Sequence, residues 1–134
     1  MTCRFCDIIQ GKELDYPVWE DEMFIVLLNI ERINPGSVMI IPKVHVDYLF
    51  DLDDTLYADL FFIARRVEKA LKSVTNAKRI GLAVSGFEIP HAHLHVLPLH
   101  GSNELDATRF IPAGKEELLE MQEKLRMQLN EVMG

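Results

Sequence analysis

The segment His91-Ala-His-Leu-His-Val-Leu constrains the fold of this chain more than any other stretch. Its histidines alternate with apolar residues at a strict period of two, which predicts a β-strand with one imidazole face and one apolar face. A rise of ~3.3 Å per residue puts successive histidine Cα atoms about 7 Å apart on one side of a sheet. Four of the five histidines lie within residues 91–100, and this clustering favours a functional site over a solvated face.

Two kinds of chemistry suit imidazoles on one strand face. Alternate histidines can bind a single metal ion. Alternatively, a neutral imidazole can attack phosphorus through one ring nitrogen while the other donates a fixed hydrogen bond, and a neighbouring histidine can stabilise the negative charge that develops on the phosphate. The alternation alone does not decide between them.

Composition limits the class of protein and its partners. A chain of 134 residues predicts a single domain, residues 1–134, and a hydrophobic fraction of 49% is enough for an ordinary core. Lys and Arg total 14 against 21 Asp and Glu, so the net charge of −7 argues against a polynucleotide partner. The longest apolar run, Phe24–Leu28, is far shorter than the roughly 20 residues of a bilayer span. The first residues lack the apolar stretch of a signal peptide, so we expect a cytoplasmic protein without a membrane partner.

Hydrophobic periodicity predicts an α+β fold with a mostly antiparallel sheet, one long helix and a C-terminal helical extension. The long helix begins at Asp53 or Asp54 and carries an apolar stripe at spacings of three and four. The extension, about 112–133, is amphipathic and fits packing either on its own domain or on a partner subunit. Other segments are a short helix within 3–11, strands at 18–20, 23–29, 38–41 and 80–84, and a turn at Asn34-Pro35-Gly36.

These motifs resemble a known family. His91-Ala-His-Leu-His-Val-Leu-Pro98 resembles the His-φ-His-φ-His-φ-φ signature of the histidine triad (HIT) superfamily, in which φ is apolar. Segments 3–9, 18–21, the strand ending at Asn29-Ile30, and 35–45 resemble its N-terminal half in the same order. The likeness covers residues 3 to about 98 and is closest to the small bacterial, nucleotide-binding Hint-like branch. It implies a HIT-like fold with a core of about 3–100, and a homodimer.

The resemblance implies a hydrolase or phosphoramidase that cleaves nucleoside-monophosphate-X substrates, with a purine nucleotide as ligand. His93 matches the nucleophile that forms a nucleotidyl-histidine intermediate, and His95 matches the histidine that contacts the non-bridging phosphate oxygens. Gly86 matches a glycine whose small size lets backbone approach the phosphate. Three alternatives remain: a dinucleoside polyphosphate hydrolase, a non-catalytic nucleotide-binding module on the same fold, and a zinc protein that uses the triad itself as ligands.

Two positions depart from the family pattern. Asn29 replaces the aspartate that holds the ribose hydroxyls, so it lacks a charge-assisted hydrogen bond. Glu88 lies in the loop where the family often has Gly-Gln-Ser. It would repel a phosphate when ionised, donate a proton if its pKa were raised, or act only as a solvated carboxylate. By resemblance, the base pocket is apolar and consists of Phe5, Ile8, Leu27 and Ile30, although each of these residues also suits the hydrophobic core.

Cys3 and Cys6 form a C-x-x-C motif, which by itself suits metal binding, redox chemistry or two free thiols. The resemblance implies a structural zinc held by four ligands: Cys3, Cys6, His45 and His91. Zinc binds four cysteine and histidine ligands tetrahedrally. This assignment leaves His93 and His95 for chemistry, whereas His100 matches no family role and is expected on a loop.

Overall fold

A computed structural model of the protein describes residues 3–133 and has an α+β fold; positions 1, 2 and 134 of the predicted domain lie outside the described residues. The main sheet has five antiparallel strands in the order β1-β2-β4-β6-β5. Its strands are β1 (Pro17–Glu20), β2 (Phe24–Leu28), β4 (Val38–Pro42), β5 (Arg79–Ala83) and β6 (Leu94–Leu99). A second, two-stranded sheet pairs β3 (Glu31–Arg32) with β7 (Ile111–Pro112). The α-helices are α1 (Arg4–Ile9), α2 (Asp54–Thr75) and α3 (Lys115–Met133).

The centre of the main sheet is buried on both faces, as the side chains of β2 show. All its side chains are buried, as expected for a short, continuous apolar run. Because successive side chains point to opposite faces, Phe24, Val26 and Leu28 pack into the main core with α2 and α3. Ile25 and Leu27 belong to a smaller apolar cluster on the other face, which includes residues of α1.

Helix α2 begins as predicted at an aspartate cap. The Asp53 side chain accepts a hydrogen bond from the Leu56 backbone N–H at 2.8 Å, which satisfies one of the unpaired donors of the first turn. The helix ends at Asn76, which has the left-handed φ of +56° typical of a C-terminal cap. The tight turn before β4 also requires a special residue, because Gly36 has a φ of +100° and an added Cβ would lie 2.8 Å from Thr75 Cγ2.

Helix α3 packs on its own chain, which decides between the two packing alternatives for the extension. Leu118, Leu125 and Leu129 are buried in the main core, and the helix contacts α2 and β1. Near its N-terminus, the Glu117 carboxylate accepts two hydrogen bonds from the Arg32 guanidinium, at 2.9 and 3.3 Å. None of the helices within residues 3–133 has the length and apolar character needed to cross a membrane.

The histidine segment is less regular than predicted. Strand β6 begins at Leu94, so His91 and His93 lie in the extended segment before it. The reason is the backbone pairing: the Ala92 N–H donates to the Val46 carbonyl, in the loop after β4, and not to a strand. The alternation of faces nevertheless persists, because Ala92 and Leu94 are buried in the main core.

Candidate active site and metal centre

His93 is buried, with an exposed fraction of 5%, and one of its ring nitrogens is fixed by the backbone. Its Nδ1 lies 2.8 Å from the His91 carbonyl oxygen. Since a carbonyl oxygen can only accept, Nδ1 carries the proton and donates it. The position free to act as a nucleophile is therefore Nε2. The Phe5 ring packs edge-on against His93 with the centroids 5.0 Å apart, which holds the plane of the imidazole.

His95 lies beside His93, with ring centroids 4.9 Å apart. Burial and the neighbouring His93 lower the pKa of His95 from its usual 6.5 to about 4, although the Glu88 carboxylate acts in the opposite direction. The ring is therefore neutral near pH 7, and it can offer a single N–H to an anion.

The Asn29 side chain determines which nitrogen of His95 carries that proton. The Asn29 Oδ1 accepts a hydrogen bond from the Glu31 backbone N–H at 3.3 Å, and this orients the amide. The Nδ2 group then faces His95 Nδ1 at 3.5 Å. Because Nδ2 is only a donor, His95 Nδ1 is the acceptor and its proton lies on Nε2.

Three of the four predicted base-pocket residues lie together. Phe5, Ile8 and Leu27 share the apolar cluster between α1 and the sheet. Ile30 is different: it is partly buried and packs against the main core, because it follows the end of β2 where the chain turns toward β3. The structure thus brings three of these residues together and places the fourth elsewhere.

Gly86 and Glu88 lie in the exposed loop after β5. Gly86 has a φ of +86°, and an added Cβ would meet no atom within 4 Å, so the backbone here is open to a ligand. Glu88 is exposed and close enough to His95 to affect its pKa. His100 is exposed in the turn that follows β6, as expected for a residue on a loop.

The four predicted zinc ligands converge. The candidate ligand atoms of Cys3, Cys6, His45 and His91 all lie within 4.8 Å of one another. His91 Nδ1 is 3.4 Å from Cys3 Sγ, 3.5 Å from Cys6 Sγ and 3.2 Å from His45 Nδ1. Cys6 Sγ is 3.3 Å from His45 Nδ1.

These separations fit a tetrahedral zinc ion. With usual Zn–N and Zn–S bond lengths, a tetrahedron requires N···N distances of about 3.3 Å and N···S distances of about 3.6 Å. His91 is also prepared for binding, because its Nε2–H donates to the Pro42 carbonyl at 2.7 Å and leaves Nδ1 unprotonated. Burial lowers the pKa of His91, which also favours the neutral, metal-binding form. The donor set and its geometry are therefore suited to zinc.

One feature near the site was not predicted from the sequence. A cavity of about 220 Å³ adjoins His93, and its walls come from residues 47–50, residues 84–87 and Ala92. The first wall segment includes the start of a 3-10 helix (Leu49–Asp51) and the second follows β5, and neither segment has hydrophobic periodicity. The only sequence signal for it is the Tyr48-Leu-Phe50 run that follows His45.

Comparison with known proteins identifies the family. The family model of the HIT domain matches residues 12–102. The chain belongs to the HIT family. Adenosine 5'-monophosphoramidase HNT1 of Saccharomyces cerevisiae is 32% identical to this HIT protein over 98 residues, which cover 72% of the chain and 62% of the relative.

Solved structures share the fold over nearly the whole chain. A Zn-bound histidine triad family protein from Mycobacterium smegmatis superimposes with a TM-score of 0.83 at 25% identity, covering 99% of this chain and 96% of the other. A hypothetical histidine triad nucleotide-binding protein from Sulfolobus tokodaii gives a TM-score of 0.80 at 27% identity, covering 96% and 93%.

Proposed function

We propose that this HIT protein is a phosphoramidase that hydrolyses nucleoside-monophosphate-X substrates through a nucleotidyl intermediate on His93. One observation carries the proposal: the His93 Nδ1–H donates to the His91 carbonyl at 2.8 Å, which leaves the Nε2 lone pair as the nucleophile. The similarity to a yeast adenosine 5'-monophosphoramidase supports a nitrogen-linked leaving group and a purine nucleotide.

The reaction has two steps. First, a bond forms between His93 Nε2 and the α-phosphorus, the P–N bond breaks, and the departing nitrogen takes a proton from solvent. Second, the oxygen of a water molecule bonds to phosphorus and the P–Nε2 electron pair returns to the ring, releasing a nucleoside monophosphate. The second step frees two protons, of which one balances the proton consumed earlier and the other converts the amine to an ammonium ion.

His95 stabilises the phosphate in this scheme. Its Nε2–H is a neutral donor for a non-bridging oxygen, and the backbone at Gly86 is open to the same group. The base lies on the face formed by Phe5, Ile8 and Leu27, and Asn29 lies at the ribose position. The Glu88 carboxylate acts on His95 and would repel further negative charge brought to this loop.

We also propose that the Cys3, Cys6, His45 and His91 cluster holds a structural zinc ion. Such an ion supplies no reacting group; it fixes α1 and the loop after β4 against the start of the histidine segment. Zinc-bound thiolates suit a reducing compartment, which agrees with a cytoplasmic location.

A substitution at His93 tests the proposed reaction. His93→Gly should lower the turnover number for adenosine 5'-phosphoramidate by at least about 10³-fold, because no other group supplies the nucleophile. Adenosine 5'-monophosphate should still bind, since the apolar pocket remains. The matched control is the exposed His100→Gly, which should keep wild-type turnover.

Mass spectrometry provides the direct readout. Wild-type protein quenched during turnover should carry one covalent nucleotidyl group on His93. If His93→Gly retained turnover, the proposal would be wrong. If the wild type bound nucleotide but neither turned it over nor became labelled, the protein would be a non-catalytic binding module.

A further inference from the structure

The cavity beside His93 has an aromatic wall that has no role in the proposed reaction as described above. Phe87 is 93% exposed, Phe50 67% and Tyr48 60%, although all three line the cavity. The Tyr48 and Phe50 rings pack edge-to-face with their centroids 5.6 Å apart, so this wall is already ordered. Exposed aromatic rings around a concave site favour a ligand with an apolar, flat surface.

The position of the cavity makes it suitable for the leaving group. It contacts His93, Ser85 and Gly86, so it adjoins the phosphate region. None of its walls comes from Phe5, Ile8 or Leu27, where the base is proposed to bind. Its volume of about 220 Å³ is below the roughly 300 Å³ at which pockets hold a whole drug-sized ligand, so it suits one ring system rather than a second nucleotide.

The charge of the residues that line the cavity favours some leaving groups of that size over others. Asp47 is the one charged side chain among its lining residues. A pyrophosphate or nucleotide leaving group would therefore meet a carboxylate without a compensating cation. An alkylamine leaves as the neutral amine and then takes up a second proton, and a carboxylate attracts the resulting ammonium ion.

We infer that this cavity binds the leaving group and that the preferred leaving group is a primary alkylamine that carries an aromatic ring, joined to the nucleotide through a P–N bond. The inference rests on the proposed function, because it names the X of that reaction. The bonds made and broken are those of the two steps above. The apolar part of the amine contacts Tyr48, Phe50 and Phe87, and its nitrogen leaves toward Asp47.

Steady-state kinetics on matched substrates tests this assignment. The substrates are the adenosine 5'-phosphoramidates of 2-phenylethylamine, methylamine and β-alanine, together with diadenosine tetraphosphate. We expect kcat/KM for the phenylethylamine compound to exceed that for the methylamine compound by about tenfold, since apolar contacts in a pocket give selectivity of that order. We expect the two anionic leaving groups to be the slowest.

Substitutions in the cavity wall test whether the substrate preference arises from the cavity. Phe87→Ala and Tyr48→Ala should each lower kcat/KM more for the phenylethylamine compound than for the methylamine compound, which brings the ratio of the two values toward one. Asp47→Asn should raise kcat/KM for the β-alanine compound selectively. Leu14→Ala is the matched control, because Leu14 is 94% exposed and does not line the cavity.

These experiments distinguish failure of the proposed function from failure of the leaving-group assignment. If the wild type cleaved none of the phosphoramidates, the proposed function itself would fail. If it cleaved the phenylethylamine and methylamine compounds equally well, only the leaving-group assignment would be wrong. Wall variants that slowed all substrates equally and also lowered the molecular mass in solution would indicate that a second copy of the chain covers this face, and would likewise overturn it.

Discussion

Asn29 shows how one residue can affect both the ligand and a catalytic group. The chain has an amide where the HIT resemblance implies an aspartate, and the amide contacts His95. An amide donor facing Nδ1 keeps the proton of His95 on Nε2, whereas a carboxylate would draw that proton to Nδ1. In the proposed reaction, the Asn29 side chain would therefore influence both ribose recognition and the protonation of the imidazole assigned to the phosphate.

Asn29→Asp should change both properties. A carboxylate accepts stronger, charge-assisted hydrogen bonds from ribose hydroxyls, by about 1 kcal/mol, so the preference for adenosine 5'-monophosphate over its 2'-deoxy form should rise about fivefold. The added negative charge should also raise the pKa of His95 above its value of about 4, so the ring becomes protonated within the window between pH 4 and 6.5.

Two measurements check this prediction. Calorimetry gives the dissociation constants of the two nucleotides, and NMR titration of the His95 ring gives its pKa. The control is Asn130→Asp, which adds the same charge at an exposed position on α3. An unchanged nucleotide preference together with an unchanged pKa would show that Asn29 has neither role.

At the scale of secondary structure, the pattern of apolar residues predicted the elements that contribute most to the core. Phe24–Leu28 formed the expected strand because all five residues of this short run are apolar, and α2 formed the expected helix because its apolar residues repeat over enough positions to define one face. The β3–β7 pair escaped prediction because two residues per strand carry no period. His93 was expected inside a strand, yet it precedes β6, because its neighbour Ala92 bonds to a loop carbonyl and sequence cannot show that partner.

The sequence predicted which candidate site residues lie together only where they belong to a recognisable motif. The convergence of Cys3, Cys6, His45 and His91 agrees with the ligand set implied by resemblance. Ile30 could not be separated from the other three predicted base-pocket residues, since an aliphatic residue gives no sequence signal for the side of the sheet on which it packs. The wall of the cavity combines residues that lie about 40 positions apart in sequence, and only the packing of two loops brings Phe50 near Phe87.

The proposed metal site joins α1, the loop after β4 and the start of the histidine segment, so loss of the ion should loosen these three parts together. We expect purified protein to contain about one zinc ion per chain. Chelation, or Cys6→Ser, should lower Tm by an amount on the order of 10 °C, because an ion that binds only the folded state stabilises it. Elemental analysis and thermal unfolding measure these quantities.

Three comparisons make the zinc prediction specific. Chelator should produce no further change in Cys6→Ser, because its site is already broken. His93→Ala should keep its zinc, which separates this assignment from one in which the triad itself binds the metal. Metal-free protein of unchanged Tm, purified without chelators, would rule out a structural zinc ion.

The whole molecule has an open sheet edge that fits a homodimer. Strand β5 lies at the end of the main sheet and, among residues 3–133, pairs with β6 alone. Leu82 on this strand is 45% exposed, and Phe62 on the neighbouring helix α2 is 53% exposed. Unpaired strand edges with exposed apolar residues favour pairing with another strand, and a two-fold axis would join two such edges.

Light scattering coupled to gel filtration tests the dimer. The wild type should have about twice the 15.4 kDa mass of one chain. Leu82→Glu should yield a monomer, because it places like charges opposite each other at the joined edges. Leu119→Glu, on the outer face of α3 with a similar exposure of 47%, should remain dimeric. A monomeric wild type would contradict the prediction.

The hydrogen bond from His93 to residue 91 uses the backbone of residue 91 and not its ring. Any amino acid at position 91 would still provide a carbonyl oxygen, whereas only a metal-binding side chain completes the cysteine and histidine cluster. Selection can therefore act on these two features independently. A descendant of this protein that lost Cys3, Cys6 and the imidazole at position 91 would keep the tautomer of His93, the proposed nucleophile, provided that new packing held the loop in place.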